Sequence, residues 1–197
     1  MVIVRFLGRA CVEIIGDTNH IVVDPNFVEP PRKGVNKIFL THEHDDHVDV
    51  KKIEEIRERF IRQDGQFDIY GPKSVQDNFD LGVNVVKDQD ELELGDDWIH
   101  VFKVDCWKAE SCVAYHVVVD GKEVLHTADS AKYSRKLHDI KRNIDCCFVA
   151  CFEDYFDDYM EFVRKISPKV TVPYHFEPGD EEMAKKLVDF LEQYDDI

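Results

Sequence analysis

The chain has 197 residues and is 44% hydrophobic, enough for a substantial core in one domain spanning residues 1–197. It nowhere holds the run of about eighteen apolar residues that a membrane span needs. With 25 basic against 41 acidic residues the net charge is −16, which argues against the clustered Lys and Arg of nucleic-acid binders.

In chain order, the first half is rich in strand signals. Val2–Leu7, Cys11–Ile15 and His20–Asp24 are short β-favouring runs broken by Gly8, Gly16-Asp17 and Pro25, and Val35–Leu40 reads as a buried strand. A helix is predicted over Val50–Gln63, capped by Asp49, with Ile53, Ile56, Phe60 and Ile61 at helical spacing. Gly71-Pro72 opens a helical turn that runs to Phe79. Three strands follow, Trp98–Asp105, Cys112–Val119 and Lys122–His126, the last two joined by the strong hairpin turn Asp120-Gly121. A helix starts near Ser134, a strand covers Ile144–Phe152, and a helix carries Tyr159, Phe162, Val163 and Ile166 on one face. Lys169–Pro173 is the last strand, and Asp180 caps a closing helix with Met183, Leu187, Val188 and Leu191 inward. The pattern is α/β with antiparallel hairpins; it leaves open whether the sheet is doubly wound or two sheets form a sandwich.

The N-terminus shows no charged-then-apolar leader, so the expected location is the cytoplasm. In that compartment the six cysteines, Cys11, Cys106, Cys112, Cys146, Cys147 and Cys151, are expected as free thiols. Cys146-Cys147-x-x-x-Cys151 lies within I-D-C-C-F-V-A-C-F, a buried-strand pattern in which cysteine serves as a small core hydrophobe.

The densest chemistry is T-H-E-H-D-D-H-V-D at Thr41–Asp49. It places His42, His44, Asp46 and His47 directly after an apolar strand, and imidazole and carboxylate are the usual ligands of zinc, iron and manganese. Further candidate ligands close other strands: Asp129 in L-H-T-A-D-S, His175 in V-T-V-P-Y-H-F, Asp105 and Cys106 in F-K-V-D-C-W, and Asp24 before Pro25. Strand ends that meet on one rim are where α/β proteins build sites. His20, His100 and His138 fall outside these motifs and read as surface, and His116 reads as structural.

In these motifs, taken in order, the chain resembles the metallo-β-lactamase-fold metal-dependent hydrolases, in particular the small group related to ascorbate-6-phosphate lactonase. F-L-G-R-A-C-V-E-I and I-V-V-D-P resemble that group's opening strands, and S-P-K-V-T-V-P-Y-H-F its terminal histidine motif. The resemblance implies an αββα sandwich of two mixed β-sheets flanked by helices. It implies two divalent ions, zinc first, with manganese or iron as alternatives. His42 and His44 would bind the first ion, Asp46, His47 and His175 the second, Asp129 would bridge them, and Asp24 would orient a ligand. Asp46 would also orient a metal-bound hydroxide, and His126 or Tyr174 would be candidate proton donors to the leaving group.

The chain departs from that pattern where the superfamily supplies a third histidine to the first ion. Here the segment is V-D-C-W-K-A-E-S-C; Asp105 is the preferred replacement, which would favour manganese or iron, and Cys106 is the alternative. Arg9 stands where a histidine is common, Ala128 replaces a glycine, and A-C-F-E-D replaces a Pro-x-Gly-Gly segment, all of which weaken transfer of a phosphorylated-lactone substrate. Arg9, Trp107 and Lys108 are placed to contact an anion, although Arg9 reads equally as an exposed turn residue.

The expected function is therefore a hydrolase of a small ester, lactone or phosphoester. Its expected partner is a small-molecule substrate, anionic if those three residues face it, with neither nucleic acid nor membrane as partner and a homo-oligomer left open. The competing readings are a mononuclear iron oxygenase of the persulfide dioxygenase kind and a degenerate metal-binding scaffold; a flavodiiron reductase and an RNA-processing nuclease rank lower.

Overall fold

Side-chain alternation on the second strand already sorts the molecule into layers. In β2 (Cys11–Ile15), Val12 and Ile14 face one apolar cluster while Cys11 faces another, as a period of two requires. The computed structural model describes residues 1–62, 67–130, 132–140 and 143–194. Around β2 stand β1 (Ile3–Gly8), β3 (His20–Val23), β4 (Lys37–Phe39), β5 (Asp68–Gly71) and β6 (Asn84–Val85), in the order β1-β2-β3-β4-β5-β6. The first three strands pair antiparallel and β3 to β6 pair parallel. On the outer face of this sheet lie α1 (Val50–Arg59) and α2 (Lys73–Asn78). Ile53, Ile56 and Val75 pack there against Val22, Ile38 and Leu40.

The second sheet runs β11-β8-β9-β10-β12-β13, with β7 (Glu91–Leu94) paired to β8. Its strands are β8 (Asp97–Asp105), β9 (Cys112–Val119), β10 (Lys122–His126), β11 (Lys132–Tyr133), β12 (Cys146–Ala150) and β13 (Thr171–Tyr174). All eight residues of β9 are buried, as expected of a central strand covered on both faces. The β9–β10 turn has Asp120 and Gly121 both at positive φ, 47° and 72°, which suits the twist of a two-residue hairpin. After the short α3 (Arg135–His138), α4 (Phe156–Ile166) and α5 (Glu181–Leu191) join the main core through Tyr159, Phe162, Val163 and Leu187. That core also holds Val12, Ile14, Ile21 and Phe39 from the first sheet and Val101, Tyr115, Val117 and Phe148 from the second. Each such large side chain contributes about 1.5–3 kcal/mol. The result is the αββα sandwich.

Several sequence expectations are corrected. Helix α1 ends at Arg59, with Phe60 capping it rather than continuing it, and position 63 lies outside the described residues. Asp49 does cap α1, accepting from the amides of Lys51 and Lys52, whereas Asp180 stands at the start of α5 without a side-chain cap. Val188 is exposed, while Leu187 and Leu191 are buried. His20 is buried, because its Nε2 pairs with the fully buried Glu13 at 2.8 Å, and Glu13 also meets Arg5. Cys106 and Cys112 are joined as a disulfide, so the expectation of free thiols holds for Cys11, Cys146, Cys147 and Cys151 only. No helix among the described residues is long and apolar enough to cross a membrane.

Candidate metal centre

The strand directions bring the candidate ligands together. β3 and β4 run parallel, so their C-terminal ends, leading to Asp24 and to Thr41-His42, share one edge of the first sheet. β10, β12 and β13 are likewise parallel, and β10 and β13 lead to Asp129 and His175 at the facing edge of the second. Two hydrogen bonds tie the edges: Tyr115 Oη donates to the Leu40 carbonyl at 2.7 Å, and the Val113 amide to the Thr41 carbonyl at 3.0 Å.

Asp24 anchors the assembly from beneath. Its carboxylate accepts from the Thr41 amide at 2.8 Å, from Thr41 Oγ1 at 2.7 Å and from His47 Nδ1 at 2.8 Å, all fully buried. With Nδ1 held toward Asp24, His47 directs Nε2 at the centre, where a metal ion would take the place of its proton. Asp24 (φ 48°), Ala128 (φ 53°) and His175 (φ 68°) all adopt left-handed backbone, so three turns around the centre hold strained residues.

Two groups of ligand atoms result. In one, Asp46, His47 and His175 each offer an atom within 4.8 Å of the others. His47 Nε2 lies 3.1 Å from His175 Nε2, which is 3.3 Å from Asp46 Oδ2. In the other, His42, Cys106, Cys112 and Asp129 gather within the same limit, and His44 Nδ1 lies 3.1 Å from His42 Nε2. Asp129 faces both: Oδ1 is 3.7 Å from His42 Nε2 and Oδ2 is 3.8 Å from His47 Nε2.

The electrostatics suit cations. Burial, reinforced by the neighbouring His47 and His44 rings, holds His42 far below the ordinary imidazole range, so its ring is neutral, the form that metal ligation requires. Burial alone would lower His47 too, but the carboxylates of Asp24, Asp129 and Asp46 override it and push it up to about 9. The hydrogen bond from His175 keeps Asp46 well below the usual carboxylate range. Asp129 Oδ1 is buried with no hydrogen-bond partner among the described residues, a cost that a cation at this point removes. Ring nitrogens converging on one another, an orphan carboxylate oxygen and three carboxylates around one imidazole fit two divalent ions.

Not every expected residue is in place. Asp105 is exposed at the rim and its carboxylate belongs to neither group; its neighbour Cys106 turns inward instead, because consecutive residues at a strand end face opposite ways. His126 and Tyr174 are fully buried and do not line the cleft, which withdraws both as proton donors to a substrate. Burial lowers His126 to about 4. Arg9 is not a free turn residue: it donates to Glu177 at 2.9 Å and to Asn26 at 2.8 Å, and Asn26 in turn donates to the Asp46 carbonyl at 2.9 Å. His116 has the structural role expected, buried and paired with Glu123.

Cys112, whose place depends on the register of the β8–β9 hairpin, and Asn26, which carries no motif, also stand at the centre without a local sequence signal. Above the centre opens a cleft of about 750 Å³ lined by His44, Asp46, Asp129 and His175 below and by Trp107, Lys108, Lys132 and Tyr155 around its mouth.

Residues 3–175 match the model of the β-lactamase superfamily domain. Among proteins of curated function none matches. Among solved structures the chain is similar to a protein of Parabacteroides distasonis assigned as a metal-dependent hydrolase (22% identity, 97% of this chain and 88% of that one, TM-score 0.78). It is also similar to Igni18, a metallo hydrolase of the archaeon Ignicoccus hospitalis (16%, 95% and 91%, TM-score 0.70). A third likeness is CmlA, a diiron β-hydroxylase of Streptomyces venezuelae (15%, 98% and 50%, TM-score 0.74), of which this chain spans half the length. These likenesses establish the metallo-β-lactamase fold.

Proposed function

Since the chain belongs to the β-lactamase superfamily, we propose that it is a binuclear metal-dependent hydrolase of a small ester, lactone or phosphoester. The observation that carries this reading is Asp129, which turns one oxygen toward His42 and the other toward His47, as a carboxylate shared by two ions does. His42 and His44, with Asp129, would hold the first ion, and Asp46, His47 and His175, with Asp129, the second. Divalent ions so held supply Lewis acidity and lower the pKa of water to near 7.

The chain's own groups supply orientation. Asp46, kept ionised and half-exposed at the cleft floor, accepts a hydrogen bond from an attacking water, but its depressed pKa makes it a poor proton acceptor. Asn26 fixes the turn that carries it. Lys108, Lys132 and Tyr155 are the cleft groups that carry a proton toward a leaving group, and the two lysines favour an anionic substrate. Trp107, three-quarters exposed, with the Lys108 ammonium 4.1 Å from its ring, offers an apolar face to the rest of that molecule.

The test is turnover of chromogenic phosphodiesters, phosphomonoesters and lactones by the reduced, full-length chain loaded with zinc or manganese. Metal-dependent release of product, lost in the His44→Ala variant, supports the reading. No turnover on any of these classes, with oxygen consumption by the iron-loaded chain, would replace it with the oxygenase.

A further inference from the structure

Cys106 and Cys112 close the two ends of one hairpin loop directly at the first ligand group. Their Cα atoms are 6.0 Å apart, and Cys112 Sγ lies 3.7 Å from His42 Nδ1. Both sulfurs belong to the same set of ligand atoms as His42 and Asp129. Cys106 also lines the cleft, so a small solute reaches the pair from the substrate side. The remaining four cysteines, Cys11, Cys146, Cys147 and Cys151, belong to neither ligand group.

We propose that the first ion is held by a dithiolate, Cys106 and Cys112, added to His42, His44 and Asp129, and that the Cys106–Cys112 disulfide is the alternative, ion-free state of the same site. The proposal rests on the binuclear reading above and deepens it. Two thiolates in place of a third histidine select zinc over manganese, since thiolate is a soft ligand. In the disulfide the same sulfurs carry no charge and are poor ligands, and the site keeps only its imidazole and carboxylate donors. Ligation and disulfide formation therefore compete for the same two atoms.

The oxidant is a peroxide that enters by the cleft. The Cys106 or Cys112 thiolate attacks one peroxide oxygen; the O–O bond breaks, giving a sulfenic acid and, after protonation, water. The second thiolate then attacks the sulfenic sulfur; the S–S bond forms, the S–O bond breaks, and the departing hydroxide takes a proton to become a second water. Two thiolates lose two electrons, hydrogen peroxide gains them with two protons from solvent, and the ion loses two of the three anionic donors at that site, keeping Asp129. A dithiol reductant reverses the change by thiol–disulfide exchange.

The test uses the full-length chain. Reduced, zinc-loaded protein is treated with hydrogen peroxide at increasing ratios, and free thiols and released zinc are followed with colorimetric reagents. In parallel, reduced protein is loaded with cobalt and examined for a sulfur-to-cobalt charge-transfer band in the near ultraviolet. The proposal expects that band at full loading. It expects loss of two thiols and release of one zinc in step, reversed by dithiol, and no release from either Cys106→Ser or Cys112→Ser. Two bound cobalt ions without the band would overturn the proposal and leave the binuclear reading standing. Thiol loss without zinc release would also overturn it. Binding of a single ion even when reduced would overturn the binuclear reading itself.

Discussion

Asp24 Oδ2 and His47 Nδ1 lie 2.8 Å apart with neither side chain exposed, and this pair sets the direction of His47 in the second group. The same carboxylate receives the Thr41 amide and hydroxyl, so one buried group orients both the histidine and the turn that carries His42. Replacing Asp24 by Asn puts an amide donor where donors already point. The expected result is a loss of about 1–3 kcal/mol in denaturant unfolding of the metal-free chain. Metal affinity should fall about 10–100-fold by equilibrium titration. An unchanged affinity would mean that His47 is oriented by something else.

His44 is half-buried and packs little, and it is a ligand proposed for the first ion. His44→Ala is expected to lower kcat/KM by more than about 100-fold, beyond the range typical of groups that merely support a ligand. Unfolding stability should stay within about 1 kcal/mol. Steady-state kinetics beside a denaturant melt separate the two effects; retained activity would remove His44 from the centre.

His126 is buried, and its folded pKa of about 4 lies below the unfolded value of about 6.5. The unfolded chain therefore binds a proton more readily between those limits. The stability that the neutral ring contributes is complete above pH 6.5 and is lost as pH falls toward 4, on the order of 3 kcal/mol in all. Unfolding of the metal-free protein at several pH values, compared with His126→Asn, checks this: the variant should lose less stability over that window. Parallel slopes for the two proteins would place the acid sensitivity elsewhere.

Much of the centre was legible in the sequence because its ligands stand at strand ends beside short apolar runs, and strand ends can be read from local pattern alone. His42, His44, Asp46, His47, Asp129 and His175 all come together within the two groups or beside them. The motif alone does not separate Asp105 from Cys106 as the third ligand because the two are adjacent, and a shift of one residue exchanges inward for outward. Cys112 was invisible for a related reason: which residue it meets depends on the hairpin register between β8 and β9, with Val104 opposite Cys112. His20 was misplaced at the surface because the buried carboxylate that pairs with it, Glu13, belongs to a different strand. Strand β7 was overlooked although Glu91-Leu92-Glu93-Leu94 alternates strictly, since four residues between turns give little signal.

Lys108 and Lys132 line the cleft mouth, where an anionic substrate would draw on both. Exchanging either for Gln should raise KM several-fold for an anionic ester and leave it nearly unchanged for a neutral lactone, with kcat less affected. Initial-rate measurements on the two substrate types decide the matter. Equal effects on both would assign the lysines to fold or metal binding rather than to substrate charge.

The central claim is a pair of ions sharing Asp129. It is tested most directly by the metal content of the reduced chain, isolated without chelator or affinity nickel, beside that of Asp129→Ala. Two ions per wild-type chain are expected, zinc foremost, and one or none in the variant. One ion in both proteins would contradict it.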